Sequence, residues 1–181
     1  MITGNRPIIA LDVDGVLSPL CNSRQRSRLW YHEKWRRKAV RWGLGVSQLI
    51  VNPEAAIWLQ KLAFDTGAEL VWATHWNERA NDHVAPLITL PSLPVIETPV
   101  YPRLKAPAVI ERSASRPLVW FEDEPREVET ARQLVSPGQA FLGILTDPAT
   151  GLTIDHVDQA REWLTALAYL YLRWCCLCIP R

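Results

Sequence analysis

The chain has 181 residues, long enough for one domain with a buried core and short for two. Apolar residues make up 48% of it and charged residues 22%, as in ordinary globular proteins, and a net charge of +1 identifies no charged partner by itself. No basic segment followed by an apolar run stands at the amino terminus, and three of the four cysteines crowd the other end. We therefore predict no signal peptide, no disulfide framework and a cytoplasmic protein with free thiols.

The first predicted element is a buried strand that ends in two carboxylates. Residues 8–11 are a continuous apolar run, typical of a parallel sheet, and Asp12, Asp14 and Gly15 follow them. Side chains alternate along a strand, so both carboxylates should point the same way at the edge where ligands bind. Two such like charges repel each other unless a cation or a shared proton compensates, and Mg²⁺, which suits oxygen ligands and phosphate, is the simplest compensation. The alternative is a surface Asp-x-Asp-Gly turn.

Residues 19–52 form a predicted insert, a basic and tryptophan-rich flap. Positions 18–52 hold eight basic residues and one acid, a net charge of +7, which leaves −6 for the rest of the chain. Basic and aromatic side chains are interleaved here, as at Trp35, Arg36 and Arg37, which suits a single-stranded nucleic acid. The turn around Gly43 predicts a β-hairpin rather than a helical cap. The alternative is a solvated flap whose tryptophans pack on the domain.

Further strands and helices alternate after the flap. Asn52 and Pro53 predict the start of a helix that runs to about residue 65, and Asn77 is expected to cap another. The remaining predictions are strands at 69–74, 93–97, 118–122 and 140–145 and helices at 106–112 and 126–134. We predict an α/β fold with an open, mainly parallel, Rossmann-like sheet, helices on both faces and a small β-hairpin flap.

Thr74 stands at the tip of the second predicted strand, where its hydroxyl is a candidate phosphate contact. His75 and Trp76 follow directly. We predict that Trp76 stacks a base, the alternative being that it covers the sheet edge. His75 is a candidate substrate contact, with a structural histidine as the alternative.

Lys105 lies just ahead of a predicted helix. The helix dipole disfavours a cation at this end unless something negative lies there, and a phosphate would resolve the conflict. We therefore predict that Lys105 binds phosphate, with Arg103 as its nearest rival.

A third apolar strand ends in Glu122, Asp123 and Glu124. Adjacent carboxylates at a buried strand tip are costly without a cation. We predict that Asp123 and the first strand's carboxylates hold Mg²⁺ together, with Glu122 or Glu124 in support.

The last segment, residues 154–181, is predicted to be a covering helix followed by a tail within a single domain spanning 1–181. Its apolar pattern fits one helix face against a core. Because Arg173 interrupts the apolar run, which is short for a membrane span, we predict none. Membrane attachment is the alternative.

Taken in order, these motifs resemble those of the haloacid dehalogenase (HAD) superfamily. Asp-Val-Asp-Gly-Val-Leu at 12–17 is similar to its first motif, and Thr74, Lys105 and Asp123 stand where its other three occur. The resemblance implies that Asp12 is the nucleophile and Asp14 the general acid and base. It also implies that Thr74 and Lys105 bind the phosphoryl group, and that Asp12, Asp123 and the Asp14 carbonyl hold Mg²⁺.

The fourth motif departs from the superfamily pattern, with Glu122 where an Asp or Gly is usual. Over roughly residues 8–164 the chain also resembles one particular branch of the superfamily, the HAD domain of Swiss-army-knife RNA repair proteins. We add Gly15, His75 and Trp76, with Trp35, Arg36 and Arg37 of the flap, as predicted substrate-binding residues.

The resemblance implies a Mg²⁺-dependent phosphomonoesterase that acts on a nucleic-acid end through an aspartyl-phosphate. One alternative is a phosphatase of a free nucleotide or another small phosphorylated metabolite. A second alternative is a non-catalytic module that binds nucleic acid or protein.

Overall fold

The computed structural model of the chain describes residues 6–20, 34–42 and 45–177. Four strands form one parallel sheet in the order β4-β1-β5-β6. These strands are β1 (Ile8–Leu11), β4 (Glu69–Trp72), β5 (Leu118–Glu122) and β6 (Phe141–Leu145). In the register, Ile9 lies between Leu70 and Val119. The predicted open, mainly parallel sheet is confirmed.

The helices are α1 (Pro53–Thr66), α2 (Arg79–His83), α3 (Ala85–Ile88), α4 (Ala106–Ser113), α5 (Pro125–Leu134) and α6 (Ile154–Leu177). Strand β1 alternates between two cores because its side chains point to opposite faces. Ile9 shares its core with residues of α1 and α6, whereas Ile8 shares its core with residues of α4 and α5. Helices therefore cover both faces of the sheet, as predicted. Within the described residues, no helix is long and apolar enough to cross a membrane.

The flap contains the predicted β-hairpin, which consists of β2 (Arg36–Trp42) and β3 (Gly45–Val51) in antiparallel pairing. Its base is tied to the first strand's loop, since the Ile50 N–H donates to Ser18 Oγ over 3.3 Å. The Arg79 guanidinium donates to the Arg41 carbonyl over 2.6 Å. Residues 21–33 of the flap lie outside the described residues.

Helix α1 begins and ends as its sequence predicts. Asn52 Oδ1 accepts the Glu54 N–H over 3.0 Å, Pro53 occupies the first helical position, and Gly67 ends the helix in the left-handed conformation, with φ 65°.

Two local predictions were wrong. Asn77 does not cap a helix, because its backbone is left-handed (φ 47°) and its amide pairs with the backbone of Thr98 over 2.8 and 3.2 Å. Residues 93–97 do not form a full strand and make one bridge to β4, between Trp72 and Val95. Pro94, which lacks an N–H, contributes only its carbonyl there, accepting the Trp72 N–H over 2.8 Å.

Candidate active site

The chemically active side chains gather where the parallel strands end. Asp12 follows β1, Thr74 lies two residues after β4, and Asp123 follows β5. Lys105 reaches the same place from the N-terminus of α4. The structure thus brings the four predicted motif residues together, as expected for ligand sites at the carboxyl ends of parallel strands.

Lys105 is held between two carboxylates. Its Nζ lies 2.6 Å from Asp12 Oδ2 and 2.7 Å from Glu122 Oε2, and all three side chains are buried. Burial alone would lower the pKa of Lys105, but the charges of Asp12 and Glu122 outweigh it and raise the pKa above its ordinary value. Lys105 therefore stays a cation at the floor of the site.

Asp12, Glu122 and Asp123 each offer a carboxylate oxygen within 4.8 Å of the others. Burial, reinforced by the charge of Asp12, raises the pKa of Asp123 to about 6 and that of Glu122 to about 9, while Lys105 opposes both shifts. These shifts record the cost of crowding three carboxylates around one ammonium group, which a divalent cation would relieve.

Gly15 allows this crowding. A Cβ built on Gly15 would lie 2.1 Å from Asp123 Oδ2. The φ angle of Gly15, 71°, is one that residues with a side chain rarely adopt. Its carbonyl accepts the Thr146 hydroxyl over 2.9 Å. Gly15 thus shapes the site through its backbone and lets Asp123 approach the first strand's loop.

The three carboxylates and Lys105 line a cleft of about 530 Å³, which we call the acidic cleft. Its lining residues are Asp12, Asp14, Leu20, Thr74, His75, Tyr101, Lys105, Glu122, Asp123, Glu124 and Pro125. Among the residues that the structure describes, the predicted substrate-binding residues Trp35, Arg36 and Arg37 lie outside this lining, as does Arg103.

The family follows from one comparison. A family model for the HAD domain in Swiss Army Knife RNA repair proteins matches residues 8–157, most of the chain. The chain belongs to this family. None of the curated proteins matches it. Membership supports a HAD phosphatase-type function, with which the acidic group of Asp12, Glu122 and Asp123 is compatible.

Asp14, the second carboxylate of the HAD motif, points towards Trp76. The Trp76 indole Nε1 donates to Asp14 Oδ2 over 2.8 Å. Burial raises the pKa of Asp14, an effect that this hydrogen bond opposes and the charge of Asp12 reinforces. Because Trp76 is only 4% exposed and packs in the core, it offers no open face to a base, contrary to our prediction. It orients Asp14 instead.

Thr74 and His75 of this HAD domain lie in a braced loop. Thr74 is buried and its Oγ1 accepts the Trp76 N–H over 3.3 Å, while its carbonyl accepts the Thr98 hydroxyl over 2.9 Å. His75 Nδ1 lies 2.8 Å from the Pro99 carbonyl oxygen. The loop carrying the second motif is thus fixed to residues 98–99.

Glu127, which we did not predict, anchors the third motif. Its buried carboxylate on α5 accepts the backbone N–H groups of Lys105 and Ala106, each over 2.8 Å. Glu127 therefore supplies a negative group at the start of α4, and phosphate binding by the Lys105 ammonium group stays a prediction. In sequence Glu127 looks like an ordinary first-turn acid, and nothing signals its contact with another helix.

Proposed function

We propose that this HAD domain is a Mg²⁺-dependent phosphomonoesterase that acts on a nucleic-acid end through an aspartyl-phosphate. One observation carries the proposal: Lys105 Nζ is held 2.6 Å from Asp12 Oδ2 at the floor of a cleft that also contains Asp14. The arrangement supports the proposal, in which Asp12 is the nucleophile, Lys105 binds the phosphoryl anion and Asp14 is the general acid.

Asp12 attacks the phosphorus atom in this mechanism, forming the aspartyl-phosphate as the bond to the leaving oxygen breaks. Asp14 gives its proton to that oxygen. It then takes a proton from the water molecule that hydrolyses the aspartyl-phosphate, which releases phosphate and restores Asp12. The raised pKa of Asp14 favours the protonated form that the first step needs. Lys105 and the Thr74 hydroxyl bind the phosphoryl oxygens.

The donor set fits Mg²⁺. Asp12, Glu122 and Asp123 offer hard oxygen ligands, and among the described residues Lys105 is the one cation that forms an ion pair with this group, at Asp12 and Glu122. When bound, Mg²⁺ neutralises charge on the phosphoryl group. We assign Asp12 and Asp123 as its direct ligands, together with the Asp14 carbonyl. Glu122 supports them while it also pairs with Lys105.

A nucleic-acid substrate is supported by the family, which is named for RNA repair, and by the flap. The hairpin strand β2 presents exposed Arg36, Arg37 and Arg41 beside the half-buried Lys38. We treat the chain as one domain, with 19–52 as a strand-binding insert and 154–181 as a covering helix and tail. We expect it to act in the cytoplasm.

A free nucleotide or small phosphometabolite is the second candidate substrate. The flap arginines Arg36 and Arg37 do not line the acidic cleft, whose volume of about 530 Å³ suits a small molecule. Salt separates the two candidates, because binding of a strand weakens steeply with ionic strength and binding of a small monoester does so less.

The test is phosphate release from 3′- and 5′-labelled oligonucleotides and from mononucleotides, with Mg²⁺ or with a chelator. We expect salt-sensitive release from one type of oligonucleotide end that requires Mg²⁺. Asp12→Asn should reduce it by at least about a thousandfold, because the nucleophile is lost. Asp82→Asn, an exposed change outside the acidic cleft, is the matched control and should retain activity.

Release from mononucleotides alone would replace the strand substrate with a metabolite. Oligonucleotide binding without release under any condition would contradict the enzyme and leave a binding module.

A further inference from the structure

The loop of residues 99–103 exposes an aromatic ring at the acidic cleft. Tyr101 is 71% exposed and belongs to the cleft lining together with Asp12 and Lys105. Within the described lining, Tyr101 and His75 carry the only aromatic rings. An exposed ring beside the catalytic groups is available to a ligand in a way that the buried Trp76 is not.

This ring is held by the loop that carries the second motif. The hydrogen bonds of Asn77 to the Thr98 backbone, and of the Thr98 hydroxyl to the Thr74 carbonyl, join the two loops. His75 adds a contact with the Pro99 carbonyl. The backbone at Thr98 and Pro99, two to three residues before Tyr101, is therefore tied to the loop of Thr74, which lowers the conformational entropy lost when a ligand orders this segment.

Tyr101 and His75 form a corner. Their ring centroids lie 5.7 Å apart and their planes meet at 84°. A planar heterocycle can lie parallel to one ring while its edge faces the other, and both arrangements are favourable for aromatic groups. The acidic cleft thus combines a phosphate-binding floor with an aromatic corner.

We propose that Tyr101, supported by His75, is a subsite that stacks the base of the nucleotide bearing the scissile phosphate. The proposal deepens the proposed function and rests on it for the position of the phosphate. Stacking is tolerant of sequence because every base has a π-face, so the subsite should accept all bases with modest preferences. Sugar phosphates without a base should gain no binding affinity from this subsite.

The test compares binding of two phosphate-ended trinucleotides, one with 2-aminopurine on the terminal sugar and one abasic there. Binding is measured with Asp12→Asn protein so that no turnover intervenes. Adding Tyr101→Ala should weaken binding of the 2-aminopurine ligand roughly tenfold and abolish its fluorescence quenching, with little effect on the abasic ligand. Adding Tyr101→Phe should preserve both. Tyr169→Ala, at a tyrosine that is 69% exposed on α6 and outside the cleft, is the matched control.

Equal weakening of both ligands, or no difference between the Tyr101→Ala and Tyr169→Ala proteins, would overturn the base subsite. Phosphate release by the unmodified protein is measured in parallel. Absence of release together with a Tyr101-dependent preference for the base would reject the proposed function and retain the subsite. Absence of binding of either ligand would overturn the subsite, and absence of phosphate release as well would overturn both proposals.

Discussion

Asp123 approaches the backbone of Gly15 so closely that no larger residue fits between the two strand ends. A Cβ at position 15 would meet Asp123 Oδ2 at 2.1 Å and Cγ at 2.3 Å. Gly67 has nearly the same left-handed backbone, with φ 65°, but nothing lies within 4 Å of its Cβ position. Substitutions at Gly15 and at Gly67 therefore separate the effect of backbone strain from the effect of displacing the Asp123 carboxylate.

We expect Gly15→Ala to reduce Mg²⁺-dependent phosphate release at least about tenfold, because Asp123 must move. Gly67→Ala should leave activity unchanged and lower the free energy of unfolding by about 1 kcal/mol, the cost of a left-handed alanine. Urea unfolding and initial rates measure both effects. Equal activity of the two variants would show that Asp123 tolerates the displacement.

His156 links the stability of α6 to pH. Its Nδ1 accepts the Thr153 N–H over 3.1 Å, as the third residue of a helix often does for the residue that precedes the helix. Burial lowers the pKa of His156, which Asp155 partly opposes. As pH falls, His156 therefore takes up its proton in the unfolded chain before it does so in the folded protein. The stabilisation given by the neutral imidazole is fully present above about pH 6.5, the pKa in the unfolded chain, and is lost as pH falls to the lower pKa in the folded protein.

We expect His156→Gln to remove this dependence, since glutamine can accept the same N–H without titrating. The difference in unfolding free energy between the native and variant proteins should shift in favour of the variant as pH falls from about 7.5 to 5. Denaturant unfolding at several pH values measures it. A difference that does not change with pH would contradict the linkage.

At the scale of elements, α4 and α5 are joined through one carboxylate. Glu127 on α5 accepts the N–H groups that open α4, and Lys105 extends from that same point to Asp12. The packing of these two helices thus positions the ammonium group in the acidic cleft. Glu129, on the same helix, makes exposed contacts within that helix, an ion pair with Arg132 and a hydrogen bond from the Gln133 amide over 3.3 Å.

We expect Glu127→Gln to lower the unfolding free energy by roughly 1–3 kcal/mol, because the amide NH₂ group faces one of the two N–H donors and leaves it without an acceptor. Activity should fall as well, since Lys105 loses its backbone anchor. Glu129→Gln is the matched control and should change neither by much. Thermal or urea unfolding and kcat measure the two effects. If both variants behave alike, Lys105 is positioned without Glu127.

The sequence predicts those site residues that follow apolar runs. Asp12 and Asp123 each come directly after a buried strand, and parallel strands bring such positions to one edge. Contacts between distant segments carry no such pattern, and Glu127 is 22 residues away from Lys105. The cap prediction at Asn77 failed for a related reason, because its left-handed backbone accompanies pairing with Thr98, 21 residues further along the chain.

At the scale of the whole molecule, the flap hairpin and α4 carry exposed arginines on opposite faces of the sheet. Val40 and Leu49 of the hairpin pack in the core shared with α1, whereas α4 packs in the core on the opposite face. Arg36 and Arg37 are exposed on the hairpin, and Arg112 is exposed on α4. Charge can therefore be removed from either face without altering a core.

If a single strand follows the flap, the double change Arg36→Gln and Arg37→Gln should reduce the slope of log Kd against log salt by about 1.4, which corresponds to two phosphate contacts. Arg112→Gln removes charge from the other face and should leave the slope unchanged. Titration of a labelled oligonucleotide into Asp12→Asn protein between about 50 and 200 mM salt measures the slopes. With Asp12 retained, activity on a mononucleotide should be equal in the unmodified protein, the double variant and the Arg112→Gln variant, because these arginines lie outside the acidic cleft. A slope that depends equally on Arg112 and on the flap arginines would show that the molecule attracts nucleic acid by its overall charge, and that the hairpin has no specific path for a strand.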